Sequence, residues 1–172
     1  MSSLIENDEV IISDENFVKP YLIDKHGEYP VLKIFKSDIL QAKFIAEEIE
    51  KLSSKYELKD IAIVSRINSG FEMIIKEFEK RKIECCILKK DGNDFYNNSV
   101  KLLTMHAIKG LEFKAVFLIS LNEKMLPYYL TENEEERNEQ EHKERKLLYV
   151  GMTRATEKLY LTSNNIKCSK FI

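Results

Sequence analysis

The stretch Val100-Lys-Leu-Leu-Thr104-Met-His106-Ala-Ile-Lys109-Gly110-Leu-Glu112-Phe113, answered downstream by Leu148-Tyr149-Val150-Gly151-Met152-Thr153-Arg154-Ala155, decides the reading of this chain. Each segment borders a strand-like apolar run and offers a hydroxyl, an imidazole, a carboxylate or a guanidinium at the end of it. Open α/β sheets place their ligand crevice at strand ends. A polar cluster of that composition suits a ligand that is both anionic and hydroxylated, which points to a nucleotide.

Outward from these segments, apolar strand-like runs alternate with helical periodicity. Val31 to Lys36 is expected to form a strand, and Asp38 to Ser53 a helix whose Ala42, Ile45, Ala46, Ile49 and Leu52 share one face, capped by Ser37 or Asp38. Ile61 to Ser65 is a continuous apolar strand of the kind buried on both faces of a parallel sheet. Ser69 and Glu72 have capping-box spacing ahead of a helix in which Phe71, Ile74, Ile75 and Phe78 recur on one side. Ile83 to Leu88 returns as a strand, Asp91 to Asp94 is a turn, and Val100 to Thr104 and Ala115 to Leu121 are further strands joined through a turn at Gly110. Pro127 opens a loop, followed by a helix of about Glu135 to Arg154 and a strand from Leu159 to Thr162. This alternation predicts an α/β three-layer sandwich, its sheet mainly parallel with helices on both faces. Met1 to Pro30 has no firm period and reads as an N-terminal arm or linker, leaving residues 31–172 as the folded domain.

Composition agrees with one globular unit of 172 residues, 44% hydrophobic and 33% charged, which is ordinary for a cytoplasmic domain. No apolar run is long enough to span a bilayer, and the first ten residues have no signal-peptide pattern, so no membrane partner is expected. Cys85, Cys86 and Cys168 lack metal-ligand spacing and are expected to be free thiols. A net charge of −2 lacks the global basic signature of nucleic-acid binding, and the acidic stretch from Glu132 to Glu144 reads as a solvated loop and helix start.

The two quoted segments resemble the last two motifs of superfamily 1 helicases of the UvrD/Rep type, Thr-x-His-x-x-Lys-Gly-Leu-Glu-Phe and Tyr-Val-x-x-Thr-Arg-Ala. Thr104, His106, Lys109, Gly110, Leu111, Glu112 and Phe113 match the first in register, and the likeness extends roughly from Val31 to Ser163. A weaker match is Asp60-Ile-Ala-Ile-Val-Ser65-Arg66-Ile-Asn68, similar to a family strand ending in Tyr-Arg; the family's tyrosine stacks on adenine, and Ser65 offers no ring for that contact. The chain has no Gly-x-x-x-x-Gly-Lys-[Ser/Thr] phosphate loop and no strand-terminal acidic pair. Only a short connection lies between Phe71 and Val100, where larger family members insert a whole domain. The resemblance therefore implies the second, C-terminal RecA-like domain of a compact helicase, without its own P-loop.

It also implies roles. Arg154 and Arg66 would be arginine fingers on the γ-phosphate; their alternatives are a helix-end arginine bonding the last carbonyls and a surface ion pair. Glu112 would accept from the ribose hydroxyls of ATP, or else pair with Lys109 or Lys114. Thr104 and His106 would touch the backbone of single-stranded DNA, with Lys109 either touching phosphate or bracing the turn. Gly110 would supply a positive φ or a close backbone approach. Thr153 fits either a site hydrogen bond or a cap, and Tyr128 and Tyr129 fit loop packing better than base stacking.

The function expected is that of half of an ATP-dependent DNA translocase, with 3′ to 5′ polarity implied by the family. It needs a P-loop domain, in cis or in trans, that also carries the Mg2+ ligands. The alternatives are a domain of a factor that remodels RNA polymerase and a partner-binding remnant without catalysis.

Overall fold

The computed structural model describes residues 28–88 and 93–172, so most of the expected N-terminal arm and residues 91 and 92 of the expected turn lie outside the described residues. The elements are β1 (Val31–Ile34), α1 (Asp38–Leu52), β2 (Ile61–Ser65), α2 (Glu72–Arg81), β3 (Cys85–Ile87), β4 (Val100–Thr104), β5 (Phe113–Leu118), α3 (Glu134–Met152) and β6 (Ala155–Ser163). They build a six-stranded sheet in the order β1-β6-β5-β2-β4-β3, with every described pair parallel.

The strand sequences explain the layering. Ile61 and Ile63 of β2 pack with Ala42, Ile45 and Ile49 of α1 and Ile74 and Phe78 of α2, whereas Ala62 and Val64 pack with Leu148 and Met152 of α3 and with Met105 and Ile108. Successive side chains of a strand point to opposite faces, so a strand covered on both sides must be apolar throughout. This is the three-layer α/β arrangement expected from the sequence.

Local departures have physical causes. Ser37 caps α1 as expected, its hydroxyl accepting from the Leu40 amide at 3.4 Å. The Ser69 and Glu72 capping box does not form: Ser69 lies inside a 3-10 turn, Asn68–Phe71, and α2 starts after Phe71 with no side-chain cap. That turn presses Gly70 onto the end of β2, where a Cβ would come within 2.2 Å of the Ser65 hydroxyl oxygen. Ser65 is itself only 1% exposed, so this position is core and leaves no room for a ring. β5 stops at Leu118 rather than Leu121 because Ser120 adopts a φ of 58°. β3 is shorter than expected and β6 starts four residues earlier, at Ala155.

Two buried polar groups hold connections in place. Lys101 is fully buried on β4, and its ammonium donates to the carbonyls of Asp94 at 2.6 Å and Asn97 at 2.7 Å and to the Ser99 hydroxyl at 3.2 Å. It thereby pins the short connection between β3 and β4. Gln41, 1% exposed on α1, accepts from the Ser120 amide and the Thr162 hydroxyl, both at 3.0 Å, and donates to the Ser120 hydroxyl at 3.3 Å. The carboxamide compensates the backbone groups that Ser120 withdraws from the ladder. Gln41→Leu would keep the volume and leave the Ser120 amide without a partner, so the unfolding free energy should fall by about 1–3 kcal/mol. Urea denaturation followed by circular dichroism checks this.

Candidate functional site

Because the strands are parallel, their starts line one edge of the sheet and their ends the opposite edge. Phe113, which opens β5, pairs with Ala155, which opens β6, and the Phe113 amide donates to the Arg154 carbonyl at 3.0 Å. Glu112 and Arg154 are therefore neighbours at the strand-start edge. At the other edge Ser65 pairs with Thr104, and Arg66 follows Ser65. β2 and β5 run in parallel with Ile61 opposite Ala115. Arg66 and Glu112 thus lie beyond opposite ends of the sheet, about 26 Å apart along the strand direction at 3.3 Å per residue. The structure brings together two of the three expected nucleotide contacts and separates the third.

At the strand-start edge, charge accounting singles out the same two residues. Lys114 pairs with Asp60 at 3.1 Å rather than with Glu112. The Glu157 carboxylate accepts from the Tyr56 hydroxyl at 2.9 Å and from Lys55 at 3.2 Å, and these donors hold its pKa below the usual carboxylate value. Glu112 is exposed and makes no hydrogen bond or ion pair with any described residue. Arg154 is half-buried: its Nε donates to the Val150 carbonyl at 3.2 Å and its Nη2 to the Thr153 hydroxyl at 3.0 Å, while no described carboxylate neutralises it. The Thr153 hydroxyl donates to Val150 O at 2.9 Å, so Thr153 steadies this arginine as well as the helix end. An uncommitted carboxylate beside an unneutralised guanidinium fits a ligand with hydroxyls at one end and phosphate at the other.

The opposite edge is built from the turn after β4. The Thr104 carbonyl accepts from the amides of Ala107 at 2.9 Å and Ile108 at 3.2 Å, and its hydroxyl accepts from the Ala107 amide at 3.3 Å. Met105 and Ile108 are buried in the α3-side core, which turns His106, Lys109 and Gly110 outward to solvent. Gly110 has a φ of 86° with no heavy atom within 4 Å of a built Cβ, so the turn needs its backbone conformation rather than close approach. An exposed imidazole and ammonium on a rigid turn suit a phosphate backbone.

Arg66 is engaged differently from the expectation of a finger. Its Nε and Nη2 each donate to a carboxylate oxygen of Glu144 at 2.7 Å, and the two side chains are 14% and 8% exposed. The Tyr128 amide donates to the same carboxylate at 3.4 Å, and the Arg66 guanidinium lies 5.3 Å from the centroid of the Tyr128 ring. Breaking a buried pair by withdrawing one partner costs about 3–5 kcal/mol. That cost, added to the distance from Arg154, removes the geometric basis for Arg66 as a γ-phosphate contact. The Tyr129 hydroxyl bonds Glu141, which pairs with Lys170, so this tyrosine packs the loop. Glu144 was not anticipated as the partner of Arg66 because it sits in an acidic run. Its spacing of four and eight residues from buried Leu148 and Met152 was the available signal, since it puts a carboxylate on the core-facing stripe. Cys85, Cys86 and Cys168 are free, and no cluster of metal-binding side chains occurs among the described residues.

Comparison with known proteins bears on the fold and on the two quoted motifs. Residues 88–166 match the model of the UvrD-like helicase C-terminal domain. The chain is 38% identical over 91 residues to the ATP-dependent DNA helicase Rep of Buchnera aphidicola, covering 53% of this chain and 12% of that protein. It is 44% identical over 79 residues to the ATP-dependent DNA helicase PcrA of Bacillus subtilis, covering 46% and 10%, and 45% identical over 69 residues to DNA helicase II of Escherichia coli, covering 40% and 9%. The matched stretch is thus about a tenth of each relative's length. In fold, the chain is similar to the C-terminal domain of a possible DNA helicase from Lactobacillus plantarum, with a TM-score of 0.66 at 19% identity over 87% of this chain and 82% of that one. No helix among the described residues is long and apolar enough to cross a membrane. Residues 88–166 thus carry a UvrD-like helicase C-terminal domain match and are homologous to the C-terminal regions of Rep and PcrA helicases.

Proposed function

We propose that this RecA-like domain is the C-terminal half of an ATP-driven DNA translocase and completes an ATP site whose phosphate cradle belongs to a P-loop domain. The observation that carries the reading is the juxtaposition of Glu112 and Arg154 at one sheet edge, neither committed to an ionic partner. Glu112 would accept from the ribose hydroxyls, and Arg154 would swing from the Val150 carbonyl to the terminal phosphate as the cleft between the domains closes. A guanidinium there stabilises charge that develops during transfer. ATP would be held as its Mg2+ complex, with the metal ligands on the P-loop domain. Thr104, His106 and Lys109 form the edge assigned to single-stranded DNA, Thr104 shaping the turn and His106 and Lys109 meeting phosphates. Polarity of 3′ to 5′ follows from the family resemblance. The relatives named above are DNA helicases by name, none is named for work on RNA polymerase, and the uncommitted Glu112 and Arg154 speak against a remnant without catalysis.

The isolated chain should not turn over ATP, since its sequence has no Gly-x-x-x-x-Gly-Lys-[Ser/Thr] loop, whose amides and lysine would cradle the β- and γ-phosphates. A coupled phosphate-release assay on purified protein checks this; turnover abolished by Arg154→Ala would overturn the half-site reading. Supplied with a P-loop helicase domain, the chain should restore ATPase. Arg154→Ala should then lower kcat on the order of a thousandfold while nucleotide affinity changes little. His106→Ala should leave that basal ATPase close to wild type, yet weaken stimulation by single-stranded DNA and make the salt dependence of DNA binding shallower. Parallel losses in fold and in every activity would indicate that these residues are structural.

A further inference from the structure

Helix α3 touches both edges of the sheet. Glu144 meets Arg66 at the strand-end edge, and Arg154 follows the helix at the strand-start edge, where its carbonyl holds the first amide of β5. Eight residues of helix, a rise of about 12 Å, lead from Glu144 to the helix end at Met152, two residues before Arg154. Between them the helix lies close on the sheet: at Gly151 a Cβ would come within 3.1 Å of the Leu118 side chain, and Leu148 and Met152 fill the core beneath. So tight a seat leaves little freedom for one end of α3 to shift independently of the other.

The strand-end terminus of this rod is tied to the turn assigned to nucleic acid. Arg66 follows Ser65, whose carbonyl accepts from the Met105 amide at 2.9 Å, one residue from His106. The two-point guanidinium and carboxylate contact permits few alternative geometries. The Tyr128 amide and ring close the same cluster from the loop ahead of α3.

We propose that Arg66 and Glu144 are positioning residues that couple the two edges, passing occupancy of the His106 turn by single-stranded nucleic acid along α3 to Arg154. This rests on the assignment of the two edges made above. It differs from a merely structural pair in one respect: a ligand at one edge changes the behaviour of the other, and the change depends on the pair.

Hydrogen exchange on the full chain with an oligodeoxythymidylate as probe tests it. The Thr153 and Arg154 amides, bonded to the Tyr149 carbonyl at 3.0 Å and the Gly151 carbonyl at 3.2 Å, report on the remote end. In the wild type, the probe should protect the turn from Thr104 to Gly110 and also slow exchange at Thr153 and Arg154 by about fivefold or more, the lower end of typical coupling. In Glu144→Gln, which keeps the side-chain shape, local protection should persist and remote protection should vanish. Arg66→Lys keeps the charge without the two-point contact and serves equally should the first variant fail to fold; it should show the same loss. Remote protection that is absent in the wild type, or undiminished in a folded variant, overturns the coupling and leaves the edge assignments standing. Absence of protection at the turn itself overturns the nucleic-acid assignment and the coupling with it.

Discussion

Parallel pairing of β5 with β6 and of β2 with β4 and β5 is the constraint on which the rest of the structure depends. In a parallel sheet every strand start falls on one edge and every strand end on the other, so a residue's edge follows from which end of its strand it adjoins. Glu112 and Arg154 precede β5 and β6 and must be neighbours; Arg66 and Thr104 terminate β2 and β4 and must lie across the sheet from them. The motif between Thr104 and Glu112 joins the two edges, with Met105 and Ile108 buried beneath it. One continuous motif therefore spans both edges of the sheet.

Charge is distributed according to the same geometry. Most ionic groups of the strand-start edge already have partners, as Lys114 has Asp60 and Glu157 has Tyr56 and Lys55. Their mutual satisfaction leaves Glu112 and Arg154 as the groups there whose hydrogen-bonding capacity is not spent on carboxylate or cation partners. At the strand-end edge the balance is reversed: Arg66 is spent on Glu144, while His106 and Lys109 are exposed to solvent. A net charge near neutrality is thus compatible with local anion recognition, because local pairing rather than the total decides which cations remain open.

Much of the fold was legible in advance because burial imposes periodicity. The unbroken apolar run of β2, the helical spacing of Ala42, Ile45 and Ile49, and the switch from charged to apolar residues along α3 each reflect a surface that had to be covered. Element ends were less legible. Ser120 takes a positive φ because Gln41, far away in sequence, satisfies its amide, and the Ser69 capping box gives way to a 3-10 turn as Gly70 settles against Ser65. Such outcomes depend on contacts that local propensity does not encode.

By itself the sequence determined the family resemblance, the layered α/β class and the candidate chemistry-bearing side chains, because motif spacing and hydrophobic period are properties of short stretches. Only the tertiary structure decided which of those side chains lie together. Arg66 and Arg154 are the same residue type at strand termini, yet one is neutralised by Glu144 inside the protein and the other is left without an acidic partner. The difference arises from strand direction and from the path of α3 across the sheet, which bring together residues distant in sequence and determine which charges remain open to a ligand.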